Sequence, residues 1–425
     1  MKFKSITGTK DILPYDSIKW IKVEERLRYI FDSYCYKEIR TPIFEETALF
    51  ARGIGQTTDI VGKEMYTFQD KGGTSLTLRP EMTASVIRSF IQHNFNNESM
   101  LSKVYYIGPV FRQERPQAGR YRQFHQFGAE AIGSQHPSID AEIISITCDV
   151  YNAFSIKDCE LKINSVGCPN CRTQYRDILK SELLKVIENL SEESKKRIET
   201  NPLRVLDSKD IKDKEATKNV PLLLNYLCNE CGEHLEKVKS YLDELEIKYV
   251  VDARIVRGLD YYTKTAFEFI TTSLGSQDAL AGGGRYDMLA EELGGTKTPA
   301  IGVAAGMERL MLMLEKESSN IFEDTLNLLF IVAVDDVARV KALRLANELR
   351  RQGLSVDLDF NSRSVKAQFR EANRKSAKVV LVISNDELAK GIITFKDMLS
   401  GEQKEVAKEQ LLAEIEKKRV ALQIQ

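Results

Sequence analysis

Residues Gly108–Glu130 read GPVFRQERPQAGRYRQFHQFGAE, and this stretch decides what kind of sheet the chain builds. A turn containing Pro116 and Gly119 lies between two segments, 103–111 and 124–132, that are short and alternating or rich in β-formers, the pattern of neighbouring strands. Arg112, Arg115, Arg120 and Arg122 crowd around the turn. A guanidinium can grip a phosphate through two parallel N–H bonds, so arginines gathered on a hairpin suit a phosphate-bearing ligand. On the returning strand, alternate residues share a face, and that face carries Phe124, Gln126 and Glu130. An isolated basic hairpin is usually only solvated. Polar groups on the inward face of a strand are costly without a partner, which favours a ligand site.

Further strand-like segments follow at 266–271 and 278–283. A first helix starts near Pro14 and aligns Trp20, Val23, Leu27, Ile30 and Tyr34 on one face. After it, YKEIRTPIF reads as a strand that Pro42 interrupts, hence an edge or interface strand. A run of strands with helices gathered elsewhere predicts an α+β domain on an antiparallel sheet. From Cys168 to Tyr249 the chain turns into Lys/Glu-rich helical segments flanked by CPNC and CNEC, an insertion between two halves of the strand-rich domain. The polar stretch Glu315–Thr325 reads as a linker. Beyond it, LNLLFIVAV, VARVKALRLANELRRQG, LSVDLDF, SRSVKAQFREANRKSA and KVVLVIS alternate as strand and helix. That alternation predicts a small α/β domain with a largely parallel sheet. The expected domains are therefore 1–325, interrupted by the insertion 168–249, and 326–425.

A chain of 425 residues exceeds one core, and its 43% hydrophobic and 29% charged residues are those of a soluble globular protein. No segment approaches a membrane span and the N-terminus lacks a signal-peptide stretch, so a cytoplasmic protein is expected. The net charge of −1 points to no nucleic-acid partner; any RNA contact must come from local patches. Seven cysteines without an export signal imply reduced thiols, and metal binding where they pair closely. Cys168, Cys171, Cys228 and Cys231 form two C-x-x-C pairs suited to tetrahedral zinc, with four free thiols as the alternative. Of the four histidines only His234 falls near a ligand pattern, and Cys35, Cys148 and Cys159 read as small buried residues.

Three more clusters could carry chemistry. RPEMTAS, Arg79–Ser85, sits at a strand-to-helix junction, where a carboxylate and a hydroxyl could hold an ammonium group or Thr77 or Glu81 could simply cap the helix. RGLDYYTKTAFE, Arg257–Glu268, precedes LAGGGRYDML, whose glycines suggest close approach of backbone to a ligand. AIGVAAGMERL places small residues ahead of a helix from which Arg309 projects. In the last domain Arg363, Lys366, Arg370 and Arg374 are spaced three and four apart, opposite Val365, Phe369 and Ala372. With Lys375 and Lys378 they form a basic face opposed only by Glu371, either a solvated stripe or a phosphate-contact surface.

Together these residues resemble the histidyl-tRNA synthetases of bacterial type, over nearly the whole chain. YKEIRTPIFEE resembles the first motif of class II synthetases, whose proline lies at the dimer interface. FRQE followed by Arg120 and Phe124 resembles the second, and GMERL, Gly306–Leu310, the third. RGLDYY and GGGRYD resemble the two histidine-specific motifs, and GTKDILP and the last domain also match. The resemblance implies a class II antiparallel-sheet catalytic domain with a helical insertion, and a C-terminal α/β anticodon-binding domain. It implies a homodimer that uses ATP with Mg²⁺, L-histidine and tRNA(His), by way of a histidyl-adenylate. By the same resemblance Arg112 holds the α-phosphate and the histidine carboxylate, Phe124 stacks on adenine, Glu114 contacts the base, and Arg120 and Arg309 hold the outer phosphates. Glu81, Thr83 and Gln126 bind the α-amino group, Glu130 and Tyr262 read the imidazole nitrogens, and Tyr261 supports them. Arg257 is the catalytic cation opposite Arg112, and Met82 completes the histidine-binding set.

The chain departs from the family at Met82, where RPEGTA is usual; methionine is strained there if the position needs φ > 0, and harmless if the side chain points outward. Some bacterial relatives carry further cysteines in the insertion, where this chain has Ser191, Ser194 and Ser208. Two other functions compete, a non-catalytic regulatory paralogue serving histidine biosynthesis and a class II ligase for proline or threonine. The anticodon domain and the retained histidine motifs argue against the first, and RGLDYY and GGGRYD against the second.

Overall fold

The computed structural model describes residues 3–55, 58, 60–117, 119–208, 210–256, 261–275, 279–316 and 328–423. They form two compact units, Met1–Phe322 and Glu323–Gln425. Most of the linker expected at Glu315–Thr325 lies outside the described residues, as do Arg257 and the three residues after it.

The first unit is built on an eight-stranded sheet. From edge to edge its strands are Lys37–Glu38, Ser102–Phe111, Gln123–Ile132, Ala300–Gly306, Ala279–Arg285, Thr263–Ile270, Glu160–Ser165 and Val250–Val251. The six central strands pair antiparallel, and each edge strand pairs parallel with its neighbour. Alternation along the strands gives the sheet two chemically distinct faces. Phe127, Ala129, Ala131, Ile301, Val303, Ala305, Phe267 and Phe269 point to one face, into the largest apolar core. Helices Pro14–Ser33, Pro137–Ala153 and Asn229–Glu244 cover it with Val23, Leu27, Ile30, Ile143, Val150, Val238 and Leu242. The residues between them, Gln126, Glu130, Gly302, Ala304, Gly306 and Glu268, point the other way.

The stretch YKEIRTPIF is two strands, not one. Lys37–Glu38 is an edge of the large sheet, whereas Phe44–Glu46 joins a separate three-stranded sheet with Ser75–Leu78 and Tyr66–Gln69. Proline cannot continue a ladder, and here the carbonyls of Thr41 and Pro42 turn aside to accept bonds from buried Arg79 at 2.7 and 3.2 Å. The insertion has its own small core of Tyr175, Leu179, Leu183, Ile198, Val205 and Leu223, but its last helix, Asn229–Glu244, packs by Val238 and Leu242 into the main core.

In the second unit the sheet order is Val356–Leu358, Leu329–Ala333, Val379–Ile383, Ile392–Asp397, Gln403–Ala407. The first three strands are parallel, as the alternation suggests, and the last two form an antiparallel hairpin at the edge. Leu329–Ala333 is buried throughout, because helix Asp336–Arg351 covers one face and Val365–Arg374 the other.

Candidate active site

The polar face of the large sheet opens into a cleft of about 210 Å³. Glu81, Thr83, Arg112, Glu114, Arg120, Phe124, Gln126, Tyr261, Tyr262 and Arg309 all line it, so residues spread over 228 positions meet in one place. Strand register orders them. Gln126 pairs with Gly108 and Gly306 midway along, with Arg112 four residues beyond Gly108, while Glu130 pairs with Val104 and Gly302. Four residues along a strand separate these rows by about 13 Å. The cleft thus has a guanidinium end and a carboxylate end.

At the guanidinium end, Arg112 Nε donates to the Pro80 carbonyl at 2.8 Å, which aims the rest of the group across the Phe124 ring, 5.4 Å from its centroid. Glu114 lies between Arg112 and Arg120 at 3.6 and 3.2 Å. Arg309 reaches the carbonyls of Gly119 and Ala279 across the hairpin turn. Arg112, Arg120 and Arg309 thus gather at one end of a partly dehydrated site, where a guanidinium attracts an anion more strongly than in water. Burial, with Arg120 and Arg112 nearby, pushes the Arg309 guanidinium below its ordinary value. Of the other two arginines of the hairpin, Arg122 turns away and donates to the carbonyls of Thr7 and Glu114. Glu308, the neighbour of Arg309, is pinned by the His125 backbone N–H and ring, each at 3.0 Å.

The carboxylate end is closed. Glu130 is 1% exposed and accepts from Thr83 Oγ1 at 2.8 Å, Tyr106 Oη at 3.2 Å and Tyr286 Oη at 2.5 Å. A Cβ at Gly302 would lie 1.5 Å from Glu130 Oε2, and one at Gly128 2.5 Å from the Tyr106 hydroxyl. Glycine at both positions is what admits these polar atoms. Burial lifts the Glu130 carboxyl to about 8, against the opposing effect of the Tyr286, Thr83 and Tyr106 hydroxyls, and the nearby Glu81 adds to the rise. The Tyr261 and Tyr262 rings meet at 4.7 Å, tilted by 46°, beside Tyr286. Between the ends, Gln126 Oε1 is buried and has no hydrogen-bond partner among the described residues. An acceptor left in that condition is costly unless a ligand supplies a donor.

RPEMTAS does two jobs at once. Glu81 accepts from the backbone N–H groups of Thr83 and Ala84 at 2.7 and 2.8 Å, capping helix Thr83–Gln92, and it also lines the cleft. Thr77 is no cap; it bonds Thr47 and Thr67 within the small sheet. Met82 needs correcting twice. Its φ of −101° is ordinary, so no glycine is required there. Its side chain points neither to solvent nor to the cleft but into the core with Val86, Phe90 and Tyr106. Tyr106 and Tyr286 are site residues that motif reading passed over. Their signal was cross-strand: Tyr106 faces a glycine, Gly128.

The four paired cysteines converge, with all sulfurs within 4.8 Å of one another. Cys168 and Cys228 are the N-caps of helices Pro169–Lys185 and Asn229–Glu244, so two positive helix ends meet at the cluster. Burial alone would raise Cys168, but the backbone N–H groups of Cys171 and Asn170 help bring it to about 7; burial raises Cys171 and Cys231. His234 is not part of the cluster, since its Nε2 lies 3.0 Å from Asp140. Ser191, Ser194 and Ser208 converge instead on Asp213, with hydroxyls 2.5 to 2.8 Å from Oδ2.

The basic face of the second unit is less basic than helical spacing suggests. Arg363 pairs with Asp359 at 2.5 Å and Glu371 at 3.1 Å, Arg374 with Glu371 at 2.5 Å, and Lys375 with Asp357 at 2.5 Å. Glu371 is therefore not the only opposing charge. Lys366 and Arg370 lie between these pairs in sequence.

Comparison with known proteins agrees with this arrangement. The profile of the histidyl-tRNA synthetase family matches residues 8–310, and that of an anticodon binding domain matches 329–418. The chain is 48% identical to the histidine–tRNA ligase of Halothermothrix orenii over 98% of its length and 100% of that protein's. It superposes on the apo histidyl-tRNA synthetase of S. aureus with a TM-score of 0.83 at 41% identity, covering 97% of this chain and 99% of that one. A Bacillus halodurans structure described as an ATP phosphoribosyltransferase regulatory subunit/histidyl-tRNA synthetase shares the fold at TM-score 0.61 and 21% identity, over 91% and 99%.

Glu130 makes stability fall with pH. The native carboxyl holds its proton up to about 8, while the unfolded one releases it near 4.5. Its contribution to stability is complete below the lower value and is lost as pH rises through the upper one. Glu130→Gln should therefore flatten the decline of melting temperature between about pH 5 and 8. An unchanged slope in the variant would assign that titration to another group.

Proposed function

The chain belongs to the histidyl-tRNA synthetase family, and from that membership we propose that it ligates L-histidine to tRNA(His) in two steps. A histidine carboxylate oxygen attacks the α-phosphorus of ATP and pyrophosphate leaves. A ribose hydroxyl at the tRNA 3′ end then attacks the carbonyl of the adenylate and AMP leaves. The observation that carries this function is the polarity of one cleft, with Arg112, Arg120 and Arg309 at one end and Glu81, Thr83 and Tyr286 at the other, the last two bonded to Glu130 buried behind them. An anionic nucleotide suits the first end and an imidazole bearing N–H groups the second. The absence of a transmembrane helix among the described residues and the free cysteines are in keeping with a cytoplasmic enzyme.

Roles follow from chemistry. Arg112, fixed by Pro80, would bridge the α-phosphate and the histidine carboxylate, stabilising charge as the pentacoordinate centre forms. Phe124 would carry adenine and Glu114 its edge; Arg120 and Arg309 would hold the outer phosphates, with the Mg²⁺ that accompanies ATP. Gln126 Oε1, lacking a partner, would accept the α-ammonium together with Glu81 and Thr83. Glu130 and Tyr262 would read the ring nitrogens, with Tyr261 behind them. Met82 supports this set only from the core. Arg257, outside the described residues, takes its role from the resemblance alone, as the second cation at the α-phosphate. One cation would have to hold two anions that repel as they approach, and a second relieves that conflict. Lys366 and Arg370, with Arg363 and Arg374 beside them, are the phosphate contacts proposed for the anticodon domain.

Four thiols within 4.8 Å at two helix N-termini fit a tetrahedral cation, and Cys168, Cys171, Cys228 and Cys231 would hold a structural zinc. A homodimer is proposed through the region of Pro42, where Ile43, Phe44 and Phe68 are exposed and the last two rings lie 6.5 Å apart. A second copy of the chain would bury that patch.

Histidine should drive ATP–pyrophosphate exchange, and no other amino acid should replace it. Arg257→His should slow single-turnover adenylate formation at least tenfold, about 1.4 kcal/mol in the barrier, with a smaller loss of histidine affinity. Charge reversal at Lys366 and Arg370 should weaken tRNA charging but spare exchange. A folded protein inactive with histidine that binds a biosynthetic transferase would make it a regulatory subunit instead. Protein purified without chelators should contain about one zinc per chain; a metal-free, active protein with four readily alkylated thiols would rule zinc out. Sedimentation should give a dimer at micromolar concentration, and a stable active monomer there would remove the proposed interface.

A further inference from the structure

One polar side chain interrupts the inward face of helix Asn229–Glu244. Cys231, His234, Leu235, Val238 and Leu242 are its buried residues, and all but His234 are apolar. His234 is 7% exposed, and a histidine in an apolar stripe needs a partner. Its partner is Asp140, on helix Pro137–Ala153, which is fully buried. Burial would raise the Asp140 carboxyl, but His234 and Arg285 hold it below its ordinary value, so it is an acceptor. The Nε2 of His234 must then carry the hydrogen of this bond.

Asp140 passes the connection to the cleft. It accepts from Arg285 Nε at 2.9 Å and Nη2 at 2.7 Å, a two-point grip on a guanidinium with no exposed surface. The remaining Arg285 donors go to the Ser134 and His136 carbonyls and to Asp287 Oδ1. Arg285 follows Gly284, where φ is +155° and a Cβ would lie 2.4 Å from the Thr265 carbonyl, opposite the point where strand Thr263–Ile270 bulges at Lys264 and Thr265. Alternation along the strand, in unbroken register with Ala300–Gly306, sends Arg285 to the helix-covered face beside Ile301 and leaves Tyr286 on the cleft side. Asp287, on the far side of Tyr286, accepts from the Ala300 N–H at 3.2 Å and donates its own N–H to Thr263 at 3.3 Å. Tyr286 is thus held by both its neighbours, and its hydroxyl bonds Glu130 at 2.5 Å while its ring meets Tyr261 edge-on at 5.7 Å.

We infer that His234 is a positioning residue for the amino-acid end of the cleft, acting through Asp140 and Arg285 on Tyr286 and Glu130. It touches no ligand. It fixes the carboxylate that fixes the arginine, and so ties the last helix of the insertion to the pocket proposed for the imidazole ring. The inference rests on that proposed pocket. Without the His234 donor, one Asp140 oxygen keeps only its longer contact to Arg285 at 3.1 Å, and the pair is free to shift. A small displacement of the Tyr286 hydroxyl is felt by a ligand gripped at Glu130, but not by a nucleotide held about 13 Å along the strand.

The experiment is steady-state exchange with His234→Leu, His234→Asn and His234→Gln. Leucine keeps the bulk without the donor, asparagine has an amide too short to reach, and glutamine sets its amide nitrogen close to Nε2. Leucine and asparagine should raise KM for histidine at least fivefold, with KM for ATP within twofold and kcat within threefold of the parent; glutamine should restore KM for histidine to within twofold. If the leucine variant fails to fold, asparagine against glutamine makes the same comparison. An unchanged KM for histidine, an equal rise in both KM values, or a glutamine variant as impaired as leucine would overturn the inference. A parent protein with no histidine-dependent exchange would instead refute the function on which it rests.

Discussion

Glu130 is 1% exposed on a central strand, and the strand beside it offers a glycine where any side chain would collide with its carboxyl. Taking a carboxylate out of water costs several kcal/mol unless hydrogen bonds or charge replace the solvent. Here three hydroxyls supply that replacement, and each imposes a condition of its own. Tyr106 needs Gly128 opposite it, Tyr286 needs its strand to hold register with Ala300–Gly306, and Thr83 needs the helix turn capped by Glu81. Gly302 of AIGVAAG and Gly128 are thus spatial requirements of one buried acid. Burial keeps the acid protonated until about 8, and a ligand that donates an N–H would draw it toward the ionised form.

That demand is met only because the sheet separates its two faces. On the helix-covered side the inward residues are apolar and large, and they hold the strands in register. On the other side the same strands present glycine, alanine, glutamine and glutamate, which could not build a core. A one-residue slip in any central strand would exchange the two sets. The apolar face therefore sets the geometry of the polar one. Arg285 is the exception, a charge sent into the apolar side, and it is tolerated because its donors are all taken by Asp140, Asp287 and two carbonyls.

Period and turn chemistry made much of this legible in the sequence. The first helix, the arginine hairpin and the alternation after residue 328 all appear where apolar spacing put them. What escaped depends on contacts between distant segments. Pro42 looked like a flaw in one strand, but it divides two sheets, because Arg79 takes up the carbonyls released there. Met82 could be read as strained or exposed, and neither spacing nor propensity reveals that a core pocket awaits it. Helical spacing made Arg363 and Arg374 part of a positive stripe, but the aspartates that help neutralise that region come from the end of a strand and the loop after it. Arg285 lies in a histidine-specific motif and yet points away from the cleft, which a motif cannot express.

The insertion contains two clusters of small polar side chains, and charge explains why they make different demands. At Asp213 a single negative group receives three serine hydroxyls and the Ser191 backbone N–H at 2.7 Å. Burial works against the carboxylate, yet these donors hold it below its ordinary value. Donors and acceptors there are matched within the chain, and nothing further is required. At the cysteines the chain supplies four thiols, each a weak donor and a weak acceptor, with the Cys228 N–H 3.1 Å from Cys171 Sγ. Ionising one thiol, Cys168, is favoured by its position at a helix start, but each further thiolate would repel the first at close range. Helix ends worth about half a charge each cannot offset four thiolates. A divalent cation can, and it would tie together the two helix starts that carry the four cysteines.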